Sequence, residues 1–289
     1  MDTTNYFTIM PMSQHFTMEP GESYSGTISV INPNSSTDDL NYKAYVAPYG
    51  VVGTDYTADL QTESAYTQMK NWIKIENPKG TVAPNGKEEI KYTINVPKNA
   101  PGGGQYAAII VTRDDKNTGG DSSVAVKDIF EMASLVYASV NGETKRGGEI
   151  KENNIPGFVA SAPITVSALL TNTGNVHENA TIIITATDFF TGNVIVEGDE
   201  TEHYYSELVM PESERFVTRD INEGLPMLGV VRVEQKIRYN GNVSEESKNV
   251  IICPIWFLIL MILTAAAIIW AIVHIVLKHR RKKAHKSEA

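Results

Sequence analysis

The sequence predicts an all-β protein: two tandem Ig-like β-sandwich domains followed by a single transmembrane α-helix. Three observations predict this. Over residues 1–250, apolar residues recur with period two in short runs separated by turn clusters. No long amphipathic helix separates these runs, which argues for antiparallel sandwiches and against a parallel α/β sheet. Residues 254–277 then form a run of 24 residues without Asp, Glu, Lys or Arg.

The first domain is expected over residues 1–140. "GTISVIN" puts Ile28 and Val30 on one face, and the turn cluster "NPNSSTDD" follows it. "NWIKIENP" pairs Ile73 with Ile75, and Pro78 ends the run. "KEEIKYTINVP" sets Ile90, Tyr92, Ile94 and Val96 against Glu89, Lys91, Thr93 and Asn95, the pattern of a half-buried strand. "PKNAPGGGQYAAIIV" raises the question of a phosphate-binding loop at Gly102–Gly104. No Lys-Ser/Thr pair and no helix pattern follow the glycines, so both the Walker and the dinucleotide motifs fail. The stretch reads as a turn leading into a strand.

Residues 141–157, "NGETKRGGEIKENNIPG", are polar and Gly-containing and are expected to be a linker. The second domain is expected over 158–251. Its strands start with "APITVSALLTNTGN" and "NATIIITATD", and "TNTGN" and "FTGN" mark turns. "GVVRVEQKIRYNG" alternates Val231, Val233, Gln235 and Ile237 with Arg232, Glu234, Lys236 and Arg238. No strict sequence repeat relates the two domains.

The membrane helix is expected over 252–277, since about 20 apolar residues span the hydrocarbon. Trp256 stands near one end, where an interfacial aromatic is expected. His274 reads as a neutral residue close to the interface. Residues 278–289 form a basic tail with six Lys/Arg and one Glu. The positive-inside rule places Lys278, Arg280, Arg281, Lys282 and Lys283 in the cytoplasm and residues 1–250 outside. Export then implies a removed leader peptide, because "MDTTNYFTIMP" has no basic or long apolar region. The single-pass protein is therefore expected in the cell membrane, with its tail touching membrane lipid.

Charge excludes one class of partner. The overall net charge is −9, and outside the tail 19 basic residues face 33 acidic ones, a net of about −14. An acidic body repels nucleic-acid phosphates. Cys253 is the one cysteine, so the domains rely on their cores and not on disulfides. A cysteine-free exported chain suits a bacterial surface, and it makes the sequons at Asn34, Asn179 and Asn242 chance turn sequences.

No catalytic constellation emerges. There is no GxSxG elbow and no HExxH. His177 reads as a surface-loop residue. "DDKNTGGD" (114–121) opens like a calcium loop, but Gly119 and Val126 stand where oxygen ligands are needed. "EGDETEH" (197–203) reads as an acidic connecting loop. No metal, cofactor or catalytic residue is expected, and the chain reads as non-enzymatic. Tyr45, Tyr49 and Tyr56 lie close together in sequence and are the candidate ligand-binding residues, as sugar-stacking aromatics or as core.

The order of parts is sandwich, sandwich, membrane helix, basic tail, and no LPxTG signal precedes the apolar run. With "FTIMP", "MEPGESYSGTISVINPNSS", "TVAPNGKEEIKYTINVPKNAPGGGQYAAIIV" and "LLTNTGNVHENATIIITATDFFTGN", it resembles the WxL-interacting surface proteins of Gram-positive bacteria. The resemblance implies that the first domain meets peptidoglycan or another envelope glycan and the second meets a partner surface protein. The expected function is thus a membrane-anchored surface binding protein. The alternative is an assembly chaperone or scaffold for surface or pilus subunits.

Overall fold

The computed structural model describes residues 6–33, 36–114 and 130–287, with side chains up to residue 278. The sequon at Asn34, the calcium-like stretch at 115–121 and the side chains of Arg280, Arg281, Lys282 and Lys283 lie outside the described residues.

The first domain contains β1 (Thr8–Met10), β2 (Ser13–Met18), β3 (Ser23–Ile31), β4 (Leu40–Pro48), β5 (Gly50–Val52), β6 (Thr57–Asp59), β7 (Ile73–Ile75), β8 (Lys79–Val82), β9 (Lys87–Asn95), β10 (Gly103–Arg113) and β11 (Glu131–Val140). One sheet has the order β1-β3-β9-β7 and the other β2-β11-β10-β4-β8. The alternating residues read from sequence face the space between them. Ile28, Val30, Ile90, Tyr92 and Ile94 pack there against Tyr42, Ile109 and Val136. Fully burying side chains of this size stabilises by about 1.5–3 kcal/mol each. Gly26 faces Tyr92 across β3 and β9, and a Cβ there would come within 2.2 Å of the ring. The missing side chain is thus the space the tyrosine fills.

The second domain contains β12 (Gly148–Asn154), β13 (Phe158–Val159), β14 (Ile164–Asn172), β15 (Glu178–Asp188), β16 (Val194–Val196), β17 (Tyr205–Val209), β18 (Ser213–Ile221), β19 (Gly229–Tyr239) and β20 (Asn242–Ile252). Its sheets run β12-β14-β18 and β13-β20-β19-β15-β16, with β17 also on β15. Residues 148–154 correct the expected linker: they are a strand paired with β14, so the connection shortens to 141–147. The signal was missed because β12 is an edge strand with largely exposed polar side chains, which hides the period.

The two domains share a strand plan that their sequences do not display. In each, the first strand pairs antiparallel in one sheet, and the chain then crosses to the other sheet. There the next strand lies parallel to the domain's last strand, as β1/β2 with β11 and as β12/β13 with β20. Pro11 and Pro156 stand at the two crossings. Proline lacks the N–H that would continue the first ladder.

A helix α1 (Ile255–Ser287) follows β20 after Cys253 and Pro254. It is long and apolar enough over Ile255–Lys278 to cross a membrane, and none of that span is buried against the protein.

Candidate partner-binding groove

β10 is buried along nearly its whole length, on both faces. Its inner face, Ala107, Ile109 and Val111, belongs to the sandwich core. Its outer face, Tyr106, Ala108 and Ile110, would meet water in an ordinary two-layer sandwich. Here the chain after β4 folds back over it. Ala108 and Ile110 pack with Ala47, Tyr49, Leu60 and Leu135. The unbroken apolar run "QYAAIIV" is thus the sequence signal of a strand covered on both sides.

Among the described residues the cover is incomplete. Between β2, β11 and the β5–β6 hairpin lies a groove of about 640 Å³, lined mainly by apolar side chains that include Met12, Leu60, Phe130, Ala133, Leu135 and Leu208. Met12 is exposed at its rim. β2 is the edge of its sheet, so among the described residues no strand pairs with one side of its backbone.

One end of the groove closes on an aromatic seam between the domains. His15 stacks on Tyr137 at 4.8 Å, and Tyr106, Tyr137 and His177 meet edge to face at 5.6–5.8 Å. The backbone N–H of His177 donates to Tyr106 Oη at 3.0 Å, and the same oxygen lies 3.0 Å from His177 Nδ1. Burial, with His15 and Arg146 nearby, pushes the His177 imidazole down to about 4. Burial pushes the Tyr106 hydroxyl up. At neutral pH the ring is therefore uncharged, and one hydrogen bond joins the Tyr106 hydroxyl and Nδ1. His177 was expected in a surface loop. It is instead a half-buried seam residue, because the loop carrying it lies against β10 of the other domain.

Backbone contacts complete the seam. Gly104 N–H donates to Asn175 O at 2.7 Å, and Asn175 Nδ2 donates to Gly102 O at 3.2 Å. Gly103 has φ +118°, and a Cβ there would lie 2.7 Å from Asn175 O. The glycines read from sequence as a turn thus begin a strand and admit the second domain's backbone. On the other side, the β5–β6 hairpin reaches across. Thr54 O accepts Phe216 N–H at 2.8 Å, Tyr56 Oη accepts Met210 N–H at 2.8 Å, and Arg215 lies over the Tyr56 ring at 4.6 Å. Arg215 and Arg219, both on β18, also pair with the buried Glu207 of β17, tying the second domain's two sheets together at this edge.

The three candidate tyrosines do not form one surface. Tyr45 is exposed on the outer face of β4 and donates at 3.3 Å to Glu131, which lines the groove, but Tyr45 is not itself part of the lining. Tyr49 lines the groove and lies 3.4 Å from the Tyr137 hydroxyl. Tyr56 is turned into the domain seam. Close spacing in sequence does not carry Tyr56 onto the same face as the other two, because the chain reverses between β5 and β6. The residues that make the groove, Leu135, Tyr137 and His15, were missed. The signal for Leu135 and Tyr137 is "MASLVYASV", apolar at both parities. "EGDETEH" is a connecting loop, in which Asp199 accepts from Thr201 and Glu202 backbone N–H and pairs with His203 at 2.7 Å.

No family model matches the sequence, and no curated protein matches it. Solved structures with some likeness include the class 5 fimbriae chaperone CfaA, at 13% identity with a TM-score of 0.41, covering 84% of this chain and 99% of that one. The CsuC–CsuE chaperone–tip subunit pre-assembly complex from Csu pili of Acinetobacter baumannii is similar at 12% identity and a TM-score of 0.40, covering 84% and 98%. The E. coli chaperone DraB gives 12% and 0.38, covering 85% and 98%. All three TM-scores are below 0.5.

Proposed function

We infer that this is a non-enzymatic, membrane-anchored docking protein that holds an extended apolar segment of a partner surface protein in the groove beside β2 and β11. One observation carries the reading: the groove is lined by Met, Leu, Ala and Phe next to an edge strand. An apolar pocket with an open strand edge suits β-strand addition, where backbone bonds give affinity and pockets select alternate side chains. Glycan recognition calls for aromatic platforms flanked by fans of polar groups, and the tyrosines that would supply them are dispersed. A resemblance to WxL-interacting proteins is compatible with an exported protein partner, and the tail's charge favours an outward-facing body. The open edge of β2 also supports a second reading, in which a surface subunit is held only until it is assembled.

Photo-crosslinking from Ala133 in cells tests the inference. A specific protein adduct, lost in a Met12→Asp variant that remains folded, is the expected result. Adducts released as sugar by muramidase, or none, would refute it. Chase of the adduct into assembled surface polymer would select the assembly reading.

A further inference from the structure

The register of the second domain places its two most exposed apolar residues, Phe190 and Met227, at one end. Gly229 pairs with Ile252, Asp188 with Val231, and Phe158 with Ile251. The turn after β15 and the loop before β19 therefore lie at the end where β20 passes into α1. The opposite end carries Asn175 and Met210, which meet the first domain. On the α1 end, Phe190 is 76% exposed and Met227 77%, and Phe158, Phe189, Leu228 and Ile251 are about half exposed.

These side chains are held out by built structure. Asp188 Oδ1 accepts the N–H of Phe190 at 3.0 Å and of Thr191 at 2.7 Å, and Gly192 N–H donates to Asp188 O at 2.9 Å. Phe189 is fixed by its N–H to Val230 O at 3.0 Å and meets Phe190 edge to face at 5.4 Å. A closed turn thus presents two phenyl rings, at the cost of leaving them in water.

The connection to α1 is short and tied. Cys253 N–H donates to Val159 O at 3.0 Å, and the helix starts at Ile255. Two residues reach at most about 7 Å. The polar layer of a bilayer is about 5–7 Å thick on each side. If α1 crosses the membrane, this end of the domain has no room to stand clear of the headgroups. Trp256 in the first turn of α1 marks the same level, where aromatic rings partition favourably.

We propose that the α1 end of the second domain is a membrane-contacting rim, whose Phe189–Phe190 turn and Met227–Leu228 loop enter the lipid headgroup layer and fix the stance of both domains on the bilayer. Its occupant is the lipid interface of the membrane that α1 enters. The inference rests on the reading of α1 as a span. Insertion is shallow, because Glu223 shares the second loop and is exposed. A carboxylate is tolerated among headgroups and excluded from hydrocarbon.

The test uses the full chain, with Cys253→Ala, reconstituted in phosphatidylcholine–phosphatidylglycerol vesicles. Single cysteines replace Phe190, Met227, Asn240 at the far hairpin, or Leu260 within α1, and each carries an NBD fluorophore. The expected result is a blue-shifted emission at 190 and 227 with most of the fluorescence lost to headgroup-level spin-labelled lipid. The probe at 240 is untouched and that at 260 is quenched by acyl-chain spin labels. If 260 is quenched while 190 and 227 match 240 in accessibility to aqueous iodide, the rim is overturned and the span stands. If 260 is also open to iodide, the span reading fails first. Shifts at 190 and 227 that track protein-to-lipid ratio and ignore spin-labelled lipid would replace the bilayer with a second copy of the chain. Position 227 reports independently of any disturbance caused by replacing Phe190.

Discussion

At the scale of single residues, the seam depends on groups that tolerate little change. Gly103 is required twice, by its φ of +118° and by Asn175 O, which a Cβ would approach to 2.7 Å. Gly103→Ala is expected to lower stability by about 1–3 kcal/mol, seen as a reduced melting temperature with the strand content of both domains preserved by circular dichroism. An unchanged melting temperature would show that the loop at 172–175 retreats freely. His177 gives the seam a pH dependence. Its ring is held neutral, with a folded value of about 4 against an ordinary 6.5. Above pH 6.5 neither the folded nor the opened state binds the proton, and stability is full. Below 6.5 the opened state takes the proton first, so stability falls, until the folded state also protonates near pH 4. The loss is about 1.4 kcal/mol per pH unit at its steepest. The groups facing this ring are His15, Tyr106, Tyr137, Arg146 and Glu178. His177→Gln should flatten the fall in melting temperature between pH 6.5 and 4 relative to the parent. Parallel profiles for the two proteins would assign the acid sensitivity elsewhere.

At the scale of elements, the sequence was readable where one face of a strand meets water. β3, β9 and β19 alternate cleanly, and their inward residues are those the period selects. β10 and β11 are different. Both faces are apolar, so periodicity vanishes and only the length of the run speaks for a strand. What covers the second face, the segment from Tyr49 to Tyr66, carries no pattern of its own. Its β5–β6 hairpin is three residues on each side, too short for a period to show. β12 failed from the opposite cause, since an edge strand with little buried surface looks like a linker. The groove was therefore illegible: it is formed by the outer face of one element, the edge of another and a fold-back between them. Spacing within any single stretch cannot report such a juxtaposition. The helix α1 was the easiest element, because its composition alone meets the length of the hydrocarbon.

At the scale of the molecule, the described contacts form a chain of attachments from α1 to groove. α1 leaves β20 after two residues, the second domain meets the first at its far end, and the groove lies beside that seam. Whatever fixes the seam thus fixes the direction in which the groove points relative to the second domain. Tyr56 is the long-range member of this set. It belongs to the first domain by sequence, yet its hydroxyl takes the Met210 N–H and lies 2.6 Å from Ser213 Oγ in the second. Tyr56→Phe keeps the ring under Arg215 and removes only the oxygen. A buried N–H left without its partner costs about 1–3 kcal/mol, and each 1.4 kcal/mol is about tenfold in an opening equilibrium. Spin labels at Lys91 and Glu245, both on exposed strand positions of different domains, read the consequence by double electron–electron resonance. The parent should give one narrow interdomain distance. Tyr56→Phe should add a broad second population while each domain keeps its own fold. A narrow, unshifted distribution in the variant would mean that the glycine side of the seam alone holds the domains, and that the hairpin serves only to roof the groove.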